Sequence, residues 1–255
     1  MEKAHAVPGT ASFQKFMRVM QVISEQPKVL NVGTLSKVLD LPRPTAYRIV
    51  EALMAEGMII NDGDSDRLAL GPRLLSLAWQ SWESNDLHNI ARPYLSKLRD
   101  ELDETVHLAV RSGLEMMYID KLESQRTVRM SSRIGTRVSL YSSAVGKAWL
   151  AAHSPAETIG VLKQVTIIPH TVSTLIDPVK IKADIALTRA YGFAIDNQEN
   201  ELDICCYGAA IVGTSQKVVG CISVSMPRYR FELLSQEKAI ESIKSCVTAI
   251  GLNLL

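Results

Sequence analysis

The sequence predicts an α+β protein of two units, a small N-terminal unit of helices with one β-hairpin and a larger C-terminal unit of mixed helix and strand. Apolar residues recur at helical spacing over the first 56 residues, and two short strand-like runs follow. After a strongly apolar helix, strand and helix patterns alternate to the end. We expect a flexible tail (1–12), the N-terminal unit (13–71), a linker helix (72–85) and the C-terminal unit (86–255).

Composition indicates a globular protein and leaves its partner open. Of the 255 residues, 47% are hydrophobic and 22% charged, and no apolar run approaches the ~20 residues that cross a bilayer. The N-terminus lacks a secretory pattern, so we expect a cytoplasmic protein with its four cysteines reduced. Residues 1–85 hold nine Lys or Arg against nine Asp or Glu, so charge alone does not indicate a DNA-binding protein.

Two helices open the N-terminal unit. Ser12 is a candidate cap for the first, whose apolar residues at helical spacing are Phe13, Phe16, Met17, Met20 and Ile23. Asn31 is a candidate cap for a short second helix, whose inward residues are predicted to be Leu35, Val38 and Leu39. A tight break at residues 40–42 follows.

A third helix is predicted from about Arg43 to Glu56. At 100° per residue, Ala46 centres a buried stripe that also contains Ile49, Val50 and Leu53. Arg48 then projects almost directly away from this stripe, with Arg43 in the first turn and Thr45 and Tyr47 on the flanks. Arginine matches the O6 and N7 atoms of guanine, so this outward face suits contacts with base edges and phosphates.

Two short strands, at residues 58–60 and 67–70, close the N-terminal unit. Three helices, a short turn before the third, and a hairpin form the order of a winged helix-turn-helix. The alternative is a helical packing unit of another domain. Arg67 in the hairpin can reach a phosphate, but three aspartates in the 61–66 loop oppose the DNA backbone, so we expect a small contribution from this wing.

The linker helix carries one apolar stripe, formed by Leu74, Leu75, Ala78, Trp79 and Trp82. Such a stripe either packs on its own domain or pairs with the same helix of a second subunit. We expect pairing, because two-fold symmetric DNA readers need a seam that sets the spacing of their half-sites.

The C-terminal unit combines strands and helices. Predicted strands lie at 106–111, 116–121, 137–141, 193–196, 207–212 and 218–225. Predicted helices lie at 89–102, 142–152, from 155 onward, 177–191 and 235–252. Ser154-Pro155-Ala156-Glu157 is a capping box that starts one of these helices. The pattern predicts an α+β sheet with helices packed against it.

Small polar residues in this unit suit a ligand pocket. Ser143, Ala144 and Val145 begin a helix whose free backbone N–H groups and dipole favour an anion. Asp196 ends one predicted strand and Cys206 begins another. Ser223 and Ser225 alternate on a third strand and therefore share a face of the sheet. Such convergent polar groups are what a metabolite pocket needs.

The order of these segments resembles the IclR family of bacterial regulators. The resemblance is carried by LPRPTAYRIVEALMAEGMI, RLALGPRLLSLA, ETVHLAV, VGKAWLA and ISVS, which cover nearly the whole chain. It implies a homodimer or dimer of dimers on double-stranded operator DNA, and a GAF-like C-terminal domain that binds a small organic acid or related metabolite. No cofactor, metal or membrane is implied.

The resemblance also implies which residues contact the effector. The family's ligand contacts are similar in place to Ala144, Val145, Asp196, Cys206, Ser223 and Ser225, with Met130 as an apolar wall. The chain departs from the family pattern at Asp203, where glycine is usual, at Ala210, where proline is frequent, and at Tyr207, which is bulkier than the usual aliphatic. We expect a hydroxy- or oxo-acid, with an aromatic acid stacked on Tyr207 as the alternative.

Three other functions compete with this interpretation. An enzyme could use Cys206 as a nucleophile with His107 or His170 as its base, but no nucleophile-elbow sequence surrounds the cysteine. A metal sensor would need closer ligand spacing than the five histidines and four cysteines show. A dimer without sensor function would bind DNA with no response to ligand.

Overall fold

The computed structural model describes residues 7–25, 31–61, 67–83 and 86–254, without the side chains of residues 81–83. The chain divides into two compact units, at Ser84 and Asn85. Trp82 and the three aspartates of the predicted wing loop have side chains outside the described part. The finer divisions expected after residues 12 and 71 stay predictions.

The N-terminal unit contains α1 (Ala11–Glu25), α2 (Val32–Val38), α3 (Arg43–Ala55), a hairpin of β1 (Ile59–Asn61) and β2 (Leu68–Leu70), and α4 (Pro72–Glu83). Asn31 caps α2 as predicted, because its side chain accepts the N–H of Thr34 at 2.9 Å. The apolar core of this unit is formed by Val19, Ile23, Leu35, Leu39, Ile49, Val50, Leu53, Ile59 and Leu68.

Three predicted inward residues of this unit lie outward. Phe13 and Met17 are exposed, and α1 instead buries Val19 beside Ile23. Val38 is also exposed at the end of α2. Both helices carry apolar residues on more than one side, so apolar spacing alone did not identify every buried position.

The C-terminal unit is built on an antiparallel six-stranded sheet in the order β5-β4-β3-β8-β7-β6. Its strands are β3 (Thr105–Ser112), β4 (Glu115–Leu122), β5 (Arg137–Ser139), β6 (Ala194–Asn197), β7 (Ile204–Val212) and β8 (Val218–Pro227). Its helices are α5 (Asp86–Leu102), α6 (Ala144–Ala151), α7 (Pro155–Leu162), α8 (Pro178–Tyr191), α9 (Arg228–Phe231) and α10 (Gln236–Leu252). The capping box at Ser154 is present.

Apolar cores lie on both faces of the sheet. One core packs α5 and α10 against the strands, and Tyr207 and Val224 belong to it. The other packs α6 and α8, with Val145, Trp149 and Ile185. Because successive strand residues point to opposite faces, the second face also carries a row of buried polar residues beside α6.

Two glycines allow α6 to approach the sheet at its first turn. A Cβ at Gly208 would lie 2.7 Å from the backbone of Ala144, and a Cβ at Gly146 would lie 2.4 Å from the carbonyl oxygen of Ser139. Real Cβ atoms do not approach backbone atoms so closely, so these two positions fix the start of α6 against β7 and the end of β5.

A buried ion pair connects two distant segments of this unit. Arg230 donates to both carboxylate oxygens of Glu104, at 2.6 and 2.8 Å, and also to the carbonyl of Val128. No helix in the described part of the chain is long and apolar enough to span a membrane.

Candidate functional site

The outward face of α3 forms a polar surface without internal partners. Ala46, Ile49, Val50 and Leu53 are buried, as predicted, so the opposite face is open. Arg43, Tyr47 and Arg48 are exposed, and Thr45 is half-buried. Within the described ranges, none of these four side chains makes a hydrogen bond or ion pair. Arg67 in the hairpin is also exposed. That these five residues contact DNA stays a prediction.

A cavity of about 260 Å³ lies beside the first turn of α6 in the C-terminal unit. It is lined by all eight residues that the sequence indicated for effector binding, namely Met130, Ser143, Ala144, Val145, Asp196, Cys206, Ser223 and Ser225. Strand, helix and loop residues separated by up to 95 positions therefore meet at one place, as Met130 and Ser225 do.

Strand register explains why the polar residues converge. Asp196 on β6 pairs with Cys206 on β7, which pairs with Ser225 on β8. One step along the same face, Ser223 pairs with His107 on β3. Three neighbouring strands thus place these side chains in rows on the face beside α6.

Ser143 begins α6 at the cavity wall. Its hydroxyl accepts the N–H of Gly146 at 3.1 Å and donates to the carbonyl of Ser139 at 2.6 Å. The first N–H groups of the helix, at Ala144 and Val145, lie in the same wall. An anion at this position would meet backbone donors and the positive end of the helix dipole.

Sequence reasoning missed His107 as part of the cavity and considered it only as a base for Cys206. Its Nε2 lies 2.7 Å from Oγ of Ser132, and its ring stacks on Tyr118 with centroids 4.2 Å apart. Its Nδ1 lies 3.3 Å from Oγ of Ser225. Burial, with a contribution from the charge of Lys121, lowers the pKa of His107 to about 3, so the imidazole is neutral.

Lys121 holds the loop that closes the cavity next to Met130. Its ammonium is buried and donates to the carbonyls of Met130 and Ser132, each at 2.7 Å. Nothing in the local sequence distinguishes this lysine from a solvated strand residue. Only the tertiary path of the 123–133 loop brings two carbonyls over it.

Asp196 accepts two backbone N–H groups at one oxygen, from Glu199 at 2.8 Å and Asn200 at 3.3 Å. It is 3% exposed. Burial raises its pKa to about 7, and the neighbouring charge of Glu199 also raises it, whereas the two N–H groups and Lys147 lower it. A carboxyl that titrates near neutrality therefore forms part of the cavity wall.

Cys206 is not a reactive thiol. Burial raises its pKa well above the usual value, and the Asp196 carboxylate raises it further. The hydrogen bonds of His107 go to serines, and His170 lies beside the hydroxyl of Tyr141 at 3.2 Å. Neither histidine is placed as a base for the thiol, which removes the geometric support for a cysteine-dependent reaction.

Tyr207 does not lie in the cavity, contrary to the interpretation that an aromatic ligand stacks on it. It faces the opposite side of the sheet from Cys206 and stacks on Phe231, with ring centroids 4.7 Å apart. The aromatic ring of the cavity is that of Tyr118. Among the residues the structure covers, no group of three His, Cys, Asp or Glu side chains is arranged to hold a metal ion.

Both the N-terminal and the C-terminal parts of the chain match known proteins of one family. Residues 12–63 match the IclR helix-turn-helix domain, and residues 79–252 match the C-terminal part of the bacterial transcriptional regulator IclR. The HTH-type transcriptional repressor AllR of Escherichia coli K12 is 27% identical, over 97% of this chain and 93% of AllR. The transcriptional repressor IclR of the same strain is 28% identical, over 88% of this chain and 82% of that protein.

Solved structures agree with the fold. The crystal structure of the Thermotoga maritima IclR matches with a TM-score of 0.76 and 28% identity, covering 95% of this chain and 98% of that one. An IclR homolog from Microbacterium hydrocarbonoxydans, solved with 4-hydroxybenzoate, matches with a TM-score of 0.82 at 20% identity, covering 94% and 98%. The α+β fold predicted from sequence is confirmed. The chain belongs to the IclR family of bacterial transcriptional regulators and is a DNA-binding regulator rather than an enzyme.

Proposed function

We propose that this regulator is a repressor whose affinity for operator DNA is controlled by a small carboxylic acid bound in the C-terminal cavity. The observation that carries the proposal is the convergence of all eight predicted effector residues on one cavity. The names of the relatives AllR and IclR, both repressors, support the direction of regulation.

The size and chemistry of the cavity support a compact acid. Its volume, about 260 Å³, lies near the lower end of the range for small-molecule sites. Helix N–H groups at Ala144 and Val145 favour an anion, and the hydroxyls of Ser223 and Ser225 supply further hydrogen bonds. An aromatic acid is the second candidate, because a relative of the same fold was solved with 4-hydroxybenzoate and Tyr118 supplies an aromatic wall.

The DNA-binding role of α3 is tested by Arg48→Ala in the full chain. An operator is first selected by the wild-type protein from a random DNA pool. If Arg48 makes a bidentate guanine contact, the variant loses ~1–3 kcal/mol of discrimination at one base pair. If the variant instead loses affinity equally for every DNA sequence, Arg48 contacts a phosphate and not a base. Arg18→Ala, an exposed arginine on α1, is the matched control and should bind as the wild type does.

We also infer that α4 pairs two chains. Its exposed apolar residues are Leu75, Leu77 and Trp79, and Trp79 is 65% exposed. Exposed apolar area of this kind on one helix is stabilised when a second copy covers it. Sedimentation velocity of Leu75→Glu should show a smaller assembly than the wild type. An unchanged sedimentation coefficient would place the subunit interface elsewhere.

The effector is tested by thermal unfolding of the full chain against oxo-acids, hydroxy-acids and aromatic acids. A ligand present at ~100 times its Kd stabilises the folded state by about 2.7 kcal/mol. Any ligand found in this way must then change operator affinity, because a ligand shifts an equilibrium only by its differential affinity for the two states. Binding without any change in operator affinity would contradict the proposed control.

A further inference from the structure

We propose that Asp196 is the proton-binding residue of the effector cavity, so that a carboxylate effector enters together with one proton from solvent. This inference rests on the proposed effector function and specifies the ionisation state of its site. The alternative is an ionised Asp196, whose carboxylate would exclude an anion from that end of the cavity.

The nearest cation is already fully engaged. An ammonium has three N–H donors. Lys147 is buried on α6. Its ammonium contacts the carbonyl of Ile195 at 3.0 Å, Oε1 of Glu199 at 2.5 Å and Oδ2 of Asp184 at 2.8 Å. Lys147 therefore has no donor left for Asp196, and within the described ranges Asp196 forms no ion pair.

The immediate surroundings of Asp196 carry an excess of acid. Glu199 lies three residues away, and its buried Oε2 has no hydrogen-bond partner among the described residues. Lys147 is thus shared by Glu199 and by the partly exposed Asp184, and Asp196 is a second buried acid close by. Two carboxylates that are close together in a buried site disfavour each other's ionisation. The pKa of Asp196, raised to about 7 chiefly by burial, agrees with this geometry.

The other groups around Asp196 do not neutralise it. Burial lowers the pKa of His107 on β3 to about 3, and burial raises the pKa values of Tyr118 on β4 and of Cys205 and Cys206 on β7, so these four groups are uncharged at neutral pH. Ser225 on β8 is neutral. The remaining charged residues that line the cavity are Arg137 and Glu201, both exposed to solvent, and Arg137 is paired with Glu115 at 3.2 Å.

A protonated Asp196 changes what the cavity can bind. The neutral carboxyl offers an O–H donor, and the hydroxyls of Ser223 and Ser225 and the first N–H groups of α6 offer others. At this end of the cavity, a carboxylate ligand would then meet hydrogen-bond donors from Asp196, the two serines and α6. An ionised Asp196 would instead place two negative charges together in a site of low dielectric constant, where their repulsion is strong. Above the pKa of Asp196, the affinity for a carboxylate should therefore fall about tenfold per pH unit.

Asp196→Asn tests the proposal directly. Asparagine keeps the oxygen that accepts the two backbone N–H groups and replaces the O–H with an N–H donor, so it mimics the protonated acid at every pH. The matched control is Glu201→Gln, which removes an exposed carboxylate from the same cavity. Titration calorimetry on the full chain from pH 5.5 to 8.5 uses pyruvate, glycolate and 4-hydroxybenzoate, each beside its neutral amide.

The expected result is that the wild type and Glu201→Gln lose affinity for a carboxylate as pH rises above 7, whereas Asp196→Asn binds with a Kd independent of pH. Comparison of two buffers with different ionisation enthalpies should show uptake of one proton by the wild type near pH 8 and none by Asp196→Asn. Loss of carboxylate binding in Asp196→Asn, or a wild-type Kd that does not change with pH, would overturn the proposal. Binding of the amides alone would overturn it and leave effector control standing.

If none of these acids or amides binds, a measurement on the ligand-free protein tests the proposal. The folded-state pKa of Asp196, about 7, exceeds its ordinary value of 3.8, so the proton stabilises the folded state fully below pH 4. This stabilisation is lost as pH rises to 7. The Tm of the wild type should therefore fall relative to that of Asp196→Asn between pH 4 and pH 7. Parallel curves for the two proteins would overturn the proposal.

Discussion

The outward face of α3, proposed to meet DNA, and the cavity of the C-terminal unit, proposed to take an effector, are built in opposite ways. Arg43, Tyr47 and Arg48 extend into solvent without hydrogen bonds to other described residues. In the cavity, the ring of His107 contacts three serines, and Asp196 holds two backbone N–H groups. A partner of α3 has only water to displace, whereas a ligand in the cavity must exchange existing protein contacts.

Because of this difference, substitutions on α3 and in the cavity should have different effects on stability and binding. Under the proposed function, removing an exposed side chain from α3 should weaken DNA binding and leave the fold nearly unchanged, because surface changes alter stability little. Removing a polar group from the cavity, or from the adjacent network of Lys147, Glu199 and Asp184, should lower both the stability of the fold and the affinity for a ligand. The partners of the removed group would be left buried without hydrogen bonds. The following predictions test that contrast.

The largest expected effect is that of Lys147→Met. The substitution leaves the carboxylates of Glu199 and Asp184 without their buried cation, and breaking such a pair costs ~3–5 kcal/mol of unfolding free energy. Urea denaturation of the full chain measures the loss. Arg228→Met, which breaks an exposed pair with Glu232, is the control and should leave the urea midpoint unchanged. Equal midpoints for the two variants would mean that the Lys147 network adds no stability.

A smaller loss is expected from Gly208→Ala. The new Cβ would meet the backbone of Ala144 at 2.7 Å, and such overpacking costs ~1–3 kcal/mol. Because α6 must shift, affinity for any effector should fall with stability. Gly160→Ala is the matched control, since this helical glycine has open space around it and alanine there should be neutral or stabilising. Thermal unfolding distinguishes the two, and a stable Gly208→Ala protein would contradict the close packing of α6.

The smallest expected effect is confined to the N-terminal unit. Asn31→Ala removes the cap of α2 and should cost ~1 kcal/mol there. Hydrogen exchange should increase in α2 and α3 while amides of β7 and β8 in the C-terminal unit keep their protection. Asn31→Asp retains the accepting oxygen and should restore the wild-type rates. Increased exchange in β7 would show that the two units do not open independently.

Sequence periodicity was sufficient where a residue's role depends on its own helix or strand. Ala46, Ile49, Val50 and Leu53 are buried and Arg48 is exposed because a helix repeats every 3.6 residues. The serines of β8 share a face because strand residues alternate. The resemblance to a known family added Met130, which lies in a loop and therefore carries no periodic signal.

Other residues in and around the cavity depend on contacts between distant segments and could not be predicted. Lys121 and Lys147 look like solvated lysines in the sequence, yet tertiary packing buries both ammonium groups. His107 joins the cavity only because β3 pairs with β8. Asp203, at a position where the family resemblance implies glycine, adopts a φ of +62°, in the left-handed region that glycine favours.

The buried pair of Glu104 and Arg230 gives the two halves of the protein different responses to ionic strength. Salt screens exposed charges and competes for phosphate contacts, so binding through Arg43 and Arg48 should weaken steeply as salt rises. The Glu104–Arg230 pair is shielded from solvent and should be nearly insensitive to the same change. Concentrated salt should therefore release the protein from DNA while its C-terminal unit stays folded, which would allow ligand binding to be measured with the operator still in solution.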